Sequence, residues 1–223
     1  MKKTDTKKPK RWIIVLLSIV VLASAAAGIY IYRCTGYWQT DYRKTIKAEF
    51  TEKQVRLDDG SVINYAEGPD NGNALLLIHG QSGAWRDYTR VLPELSKDWH
   101  IFSLDCYGHG GSSHDDEKYY LDVNGDDIIW FINNVIGKET IVSGHSSGGL
   151  LAAYIAAYGG ELVTGAVLED PPVFSTEKEY FENSFAYHDT YKPMFEYLHS
   201  EQNLQTNRQD EQLNLLAIVN CLN

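Results

Sequence analysis

Short apolar runs alternate with helix-like segments along the middle of the chain. The runs 74–78, 100–104, 140–143 and 162–168 are bounded by polar loops, and their length predicts strands that are covered on both faces. Segments 85–95, 121–135 and 150–157 predict helices, and Gly137 follows the second as a stop signal. Strands that alternate with helices predict an α/β fold, a mostly parallel sheet joined by right-handed crossovers.

An alternating pattern precedes these runs. Residues 54–57 and 61–65 alternate between apolar and polar side chains around the turn Asp58-Asp59-Gly60. Two alternating segments joined by a short glycine turn predict a β-hairpin at the start of the sheet.

The N-terminal pattern is different, because residues 12–32 carry no charge over 21 positions. As a helix this segment would be about 31 Å long, close to the roughly 30 Å of a bilayer core. The six basic residues before it favour a cytoplasmic N-terminus and an extracellular body. A cleaved secretory signal is the alternative, since residues 23–27 are small. The apolar run continues past them, which favours an uncleaved anchor.

Charge and cysteine content narrow the function classes. The net charge is −10, of which residues 1–11 contribute +5 and the remainder −15. An acidic body excludes nucleic acid as the partner. Cys34, Cys106 and Cys221 have neither a disulfide framework nor a metal-ligand spacing, and Gly108-His109-Gly110-Gly111 lacks the dinucleotide fingerprint. We therefore predict no cofactor and no metal; the oligomeric state is not predicted.

The candidate chemistry lies at Gly144-His145-Ser146-Ser147-Gly148, between a predicted strand and a predicted helix. Strand, G-x-S-x-G and helix together indicate a nucleophile elbow, a sharp turn that exposes a serine hydroxyl. Gly144 and Gly148 would let the strand and helix approach closely. We predict Ser146 as nucleophile and the Ser147 amide as one donor to a developing oxyanion.

Three further motifs, in order, make residues 50–172 resemble the α/β-hydrolase superfamily, in its esterase, lipase and haloperoxidase-like branch. The resemblance implies a second oxyanion amide at Gln81 in the loop that begins His79-Gly80. It also implies a structural loop after the fourth strand, at Asp105, Gly108, His109, Gly110 and Ser112. The aromatic segment from residue 173 resembles the start of a lid.

The family order is serine, then an acid, then histidine. Asp170 is a minor candidate for the acid, although the two prolines after it favour a structural turn. His188 and His199 lie in the lid-like segment, where we expect solvated or packing side chains. We expect the chain to be the front part of a longer hydrolase that ends within the lid.

Two functions follow as hypotheses. One is a membrane-anchored serine hydrolase that cleaves carboxylic esters, as small-molecule substrates, through an acyl-enzyme, and that is expected to be incomplete because its catalytic histidine is missing. Epoxide-hydrolase and dehalogenase chemistry is disfavoured because those relatives have aspartate at the elbow. The other is an inactive surface-anchored binding module or truncated remnant. The predicted organisation is a basic cytoplasmic head (1–11), a transmembrane anchor (12–32), a juxtamembrane connector (33–49), the hydrolase core (50–172) and the lid (173–223).

Overall fold

The computed structural model describes residues 11–173, 178–185 and 187–193. The chain divides into two compact units between Arg43 and Lys44. In the first unit, helix α1 runs from Arg11 to Thr35, and its apolar side chains are exposed. Its length and composition are sufficient to cross a membrane.

Helix α2, Tyr37–Lys47, falls within the segment that the sequence analysis treated as a connector. No helix was predicted there because the segment is mostly polar, although Trp38, Tyr42 and Ile46 recur at helical spacing. The connector is therefore largely helical.

Six strands form one sheet in the second unit. They are β1 (Thr51–Arg56), β2 (Val62–Glu67), β3 (Asn73–Ile78), β4 (Trp99–Leu104), β5 (Thr140–His145) and β6 (Val163–Glu169). Their order is β1-β2-β4-β3-β5-β6. The β1–β2 and β2–β4 pairs are antiparallel, and the pairs from β4 to β6 are parallel. The predicted hairpin and the mostly parallel α/β sheet are confirmed.

The two faces of the sheet pack against different helices. Leu76, Phe102 and Val142 belong to a core cluster with helices α4 (Leu121–Phe131) and α5 (Ser147–Tyr158). Ser103, which alternates with Phe102, points to the opposite face, where its hydroxyl donates to the Trp85 carbonyl at 3.2 Å. The 3₁₀ turn Trp85–Tyr88 and helix α3 (Leu92–Leu95) cover that face.

Two predicted helices differ from the structure. The continuous helix expected over 85–95 is wrong: it is split into the 3₁₀ turn and α3, with Pro93 in the first turn of α3, where proline is favoured at a helix start rather than inside one. The helix expected over 121–135 is α-helical only to Phe131. It continues as a wider π-helical turn, Ile132–Ile136, and Gly137 ends it in the left-handed conformation.

Beyond β6 the described part of the chain contains two short helical segments. These are α6, Lys178–Glu182, and a π-helical turn, Tyr187–Tyr191. Phe181 in α6 is buried.

Candidate active site

Ser146 occupies the sharp turn between β5 and α5. Its backbone has φ 55° and ψ −121°, a conformation that costs about 1–3 kcal/mol for a residue with a side chain. Two hydrogen bonds hold it: the Ser146 amide donates to the Glu169 carbonyl at 2.9 Å, and the Gly149 amide donates to the Ser146 carbonyl at 2.8 Å. The strained turn predicted for a nucleophile elbow is present at this position.

Glycines allow the elbow to close. A Cβ on Gly144 would collide with the Gly148 carbonyl, and a Cβ on Gly148 would collide with the carbonyls of Ile78 and His79. Both positions therefore exclude any side chain. The close approach brings the start of α5 against the end of β3.

The loop after β3 reaches Ser146 directly. A Cβ on Gly80 would lie 3.0 Å from the Ser146 Cβ, so the Gly80 backbone packs against the serine. Gln81 and Ser147 line one shared cavity next to this contact. The structure thus brings the two predicted oxyanion donors, Gln81 and Ser147, to one cavity next to the predicted nucleophile Ser146.

Two buried histidines connect the loops that follow β3 and β4. His79 Nε2 accepts the Cys106 amide at 2.9 Å and its Nδ1 lies 2.7 Å from the Gly80 carbonyl. His109 Nε2 accepts the Ser82 amide at 3.1 Å and its Nδ1 lies 3.0 Å from the Tyr107 carbonyl. In each ring Nε2 accepts, so Nδ1 carries the proton and donates.

The pKa of both imidazoles is lowered, mainly by burial. Each ring is therefore neutral at pH 7, with both nitrogens already engaged. His79 and His109 fix loop geometry and are not free to act as a base toward Ser146.

The Asp105 carboxylate also connects neighbouring loops through hydrogen bonds. It is buried and accepts from the Trp85 amide at 2.7 Å, the Asn64 side-chain amide at 2.7 Å and the Gly111 amide at 2.9 Å. These donors come from the turn after the β3 loop, from β2 and from the loop after β4. Asp105 therefore holds three segments together.

Gly108 and Gly110 shape the same loop. Both have positive φ, 77° and 51°. A Cβ on Gly110 would collide with the Asp105 carboxylate, and one on Gly108 would lie 2.8 Å from the Tyr119 ring. The loop can therefore wrap closely around Asp105 only with glycine at these positions.

At the end of β6 the two acidic residues have different surroundings. The Glu169 carboxylate accepts the Ser143 hydroxyl at 2.5 Å and lines a second cavity with Tyr88 and His145. Asp170 is exposed, with a φ of 51°. Asp170 was predicted as a minor candidate for the acid. Glu169 was not considered, although an acidic residue that ends an apolar strand was an available signal.

The Ser146 hydroxyl makes no hydrogen bond within residues 11–173, 178–185 and 187–193, although six histidines lie in that part of the chain. His145 is exposed, with its ring beside Gly80, and His188 is exposed in the π-helical turn. His199 lies outside the described residues. Within that same part of the chain, no group of three or more His, Cys, Asp or Glu side chains could hold a metal ion.

Comparison with known proteins identifies the family. A family model described as "Alpha/beta hydrolase family" matches residues 75–206, a range that includes the β3 loop, the β4 loop and the elbow. The chain belongs to the alpha/beta hydrolase family. The match confirms the resemblance to the α/β-hydrolase superfamily that was drawn from the sequence motifs.

Individual relatives are distant. The human "Serine hydrolase-like protein" is 27% identical over 139 residues, which cover 61% of this chain and 68% of that protein. "Lipase 3" of Moraxella sp. (strain TA144) is 28% identical over 175 residues, covering 67% of this chain and 54% of that protein. The chain thus spans only part of the length of these curated relatives.

A solved structure shows the same fold. The crystal structure of a membrane phospholipase A, described as a bacterial virulence factor, aligns with a TM-score of 0.55 and 21% identity. The alignment covers 92% of this chain and 70% of that one.

Proposed function

We propose that this α/β-hydrolase family member is a serine hydrolase that cleaves small carboxylic esters through an acyl-enzyme on Ser146. The observation that carries the proposal is the strained Ser146 turn, packed against Gly80 beside a cavity lined by Gln81 and Ser147. Such a turn holds a hydroxyl away from its own backbone, so that an ester carbonyl can approach it.

In the proposed reaction, the Ser146 oxygen attacks the ester carbonyl carbon. The Gln81 and Ser147 amides donate to the carbonyl oxygen as it becomes negative, and the alcohol then departs. Water attacks the acyl-enzyme in the second half of the reaction and releases the acid. Both amides belong to elements fixed by the buried contacts described above, so they need little reorganisation during the reaction.

A base must take the Ser146 proton during attack. His79 and His109 are excluded because both nitrogens of each ring are engaged. Our proposal assigns the base to a residue outside the described part of the chain. The proposal places the carboxylate that orients this base at the end of β6, where Glu169 and Asp170 lie.

The proposal includes attachment to a membrane through α1. Its support is the apolar length of Arg11–Cys34 and the basic residues before it. By the distribution of positive charge, the N-terminus is cytoplasmic and the hydrolase body extracellular.

Hydrolysis of p-nitrophenyl esters by the full chain in detergent or liposomes tests the catalytic part. We expect turnover that falls at least about 10³-fold in Ser146→Ala, because loss of the nucleophile removes the covalent route. Ser147→Ala is the matched control, since it removes the neighbouring hydroxyl and keeps the amide. Equal turnover by Ser146→Ala and the parent protein would contradict the proposal.

A further inference from the structure

The cavity lined by Gln81 and Ser147 extends inward between the β4 loop and helices α4 and α5. Its lining includes Cys106, Tyr119, Leu121, Asn124, Leu150 and Leu151. The two proposed oxyanion donors thus share one cavity with several apolar side chains. A group attached to the reacting carbonyl carbon would enter this space.

The cavity is small. The volume that the centre of a water molecule can occupy in it is about 30 Å³. One water needs roughly 10–15 Å³ of such volume. Two or three non-hydrogen atoms fill it. An acyl chain of lipid length does not fit there.

Asn124 gives the cavity a specific polar group. The residue as a whole is only 6% exposed, and its side-chain amide makes no hydrogen bond to residues 11–173, 178–185 and 187–193. The amide nitrogen and oxygen are not among the fully buried atoms without a partner in that part of the chain. A polar side chain that lines a cavity in this way can bind a ligand or an ordered water there. Leu121, one helical turn earlier on α4, lines the same cavity and offers only apolar contact.

A hydroxyl is the smallest group that satisfies this amide, because it can donate to the Asn124 oxygen and accept from the nitrogen. We propose that this cavity binds the acyl side of the substrate. The acyl group is short and carries a hydroxyl next to the carbonyl, as in a glycolyl ester. Asn124 determines this specificity, and the assignment rests on the proposed ester hydrolysis at Ser146.

The test compares two acyl groups of the same size. p-Nitrophenyl glycolate and p-nitrophenyl propionate differ by a hydroxyl in place of a methyl. Each kcat/KM is divided by the rate of the uncatalysed hydrolysis, since the two esters differ in intrinsic reactivity. We expect the full chain to prefer the glycolate at least about tenfold, and Asn124→Leu to lose or reverse that preference.

Controls separate recognition from folding. Asn134→Leu makes the same exchange at an exposed position and keeps the preference. Asn124→Ser retains a hydrogen-bonding group if Asn124→Leu fails to fold, and keeps part of the preference. Ser146-dependent turnover that ignores the hydroxyl would overturn the inference and leave the proposed function intact.

A binding measurement that needs no turnover distinguishes failure of the cavity assignment from failure of the proposed ester hydrolysis. The melting temperature of Ser146→Ala is measured with glycolamide and with propionamide at equal concentration. Greater stabilisation by glycolamide, lost in the Ser146→Ala/Asn124→Leu double variant, supports the cavity assignment even if no ester is hydrolysed. Equal effects of both amides would show that the cavity does not recognise the hydroxyl and would overturn the inference.

Discussion

The two strands that flank β5 differ in how the protein holds them. On one side β3 is buried along five of its six residues, and its loop is braced by His79, His109 and Asp105. On the other side β6, the edge strand within the described part of the chain, has no buried residue. Ser146 lies between them. The β3 side of the candidate site is thus held by buried contacts, whereas the β6 side is exposed within the described part of the chain.

Removal of the Asp105 carboxylate should give the largest loss of stability. Asp105→Ala removes the acceptor of three donors, two of which lie on the buried residues Trp85 and Asn64, and we expect a loss of about 3 kcal/mol or more in the free energy of unfolding. Urea denaturation followed by circular dichroism measures it. Asp58→Ala, at an exposed turn position, should change that value by less than about 0.5 kcal/mol. Similar losses in both variants would show that the β4 loop is not held by Asp105.

A matched pair of valines compares the two sides more finely. Val142 in β5 is fully buried, whereas Val167 in β6 is 49% exposed. Val142→Ala should cost about 2 kcal/mol, because it removes buried methyl groups and leaves a cavity.

Val167→Ala should cost less than about 0.5 kcal/mol. Differential scanning calorimetry of both variants provides the comparison. If Val167→Ala cost as much as Val142→Ala, β6 would be covered in the folded protein, and the contrast between the two sides would fail.

The buried imidazoles of His79 and His109 should give a smaller effect on stability, one that depends on pH. Burial lowers the pKa of His79 and His109 in the folded protein, so the unfolded chain binds more protons below its ordinary histidine pKa of about 6.5. Stability is therefore complete above that pH and is lost as the pH falls toward the lowered pKa values. Asp105 lies close to both rings and opposes this shift in part.

The urea concentration at which half of the protein is unfolded should decrease as the pH is lowered from about 7.5 to about 5.5. This interval lies above the range in which ordinary carboxylates titrate. His109→Asn keeps a neutral acceptor and removes one titrating group, so its midpoint should depend less on pH. An unchanged slope in that variant would show that His109 does not contribute.

The sequence predicted the parts of the fold that depend on local pattern. Continuous apolar runs predicted β3 to β6, and the G-x-S-x-G turn predicted the strained position of Ser146 because glycine is required where strand and helix approach. The helix over 85–95 was wrong, since tertiary contacts of Trp85 and the position of Pro93 divide the segment. The role of each candidate site residue stays a prediction.

Residues whose surroundings depend on neighbouring elements were not predictable. Glu169 meets Ser143 only because β6 pairs with β5 in this register. Asn124 lines a cavity only because α4 packs against α5 and the β4 loop. Neither belongs to a sequence motif, so the signal in one sequence is too weak to select them.

Mapping of a fluorophosphonate adduct tests the central claim most directly. The full chain is treated with the reagent, digested, and the modified residue is located by mass spectrometry. Our account predicts one adduct, on Ser146, which is lost in Ser146→Ala and kept in Ser147→Ala. A folded protein that carries no adduct, or carries it on another serine, would contradict the assignment of Ser146 as nucleophile.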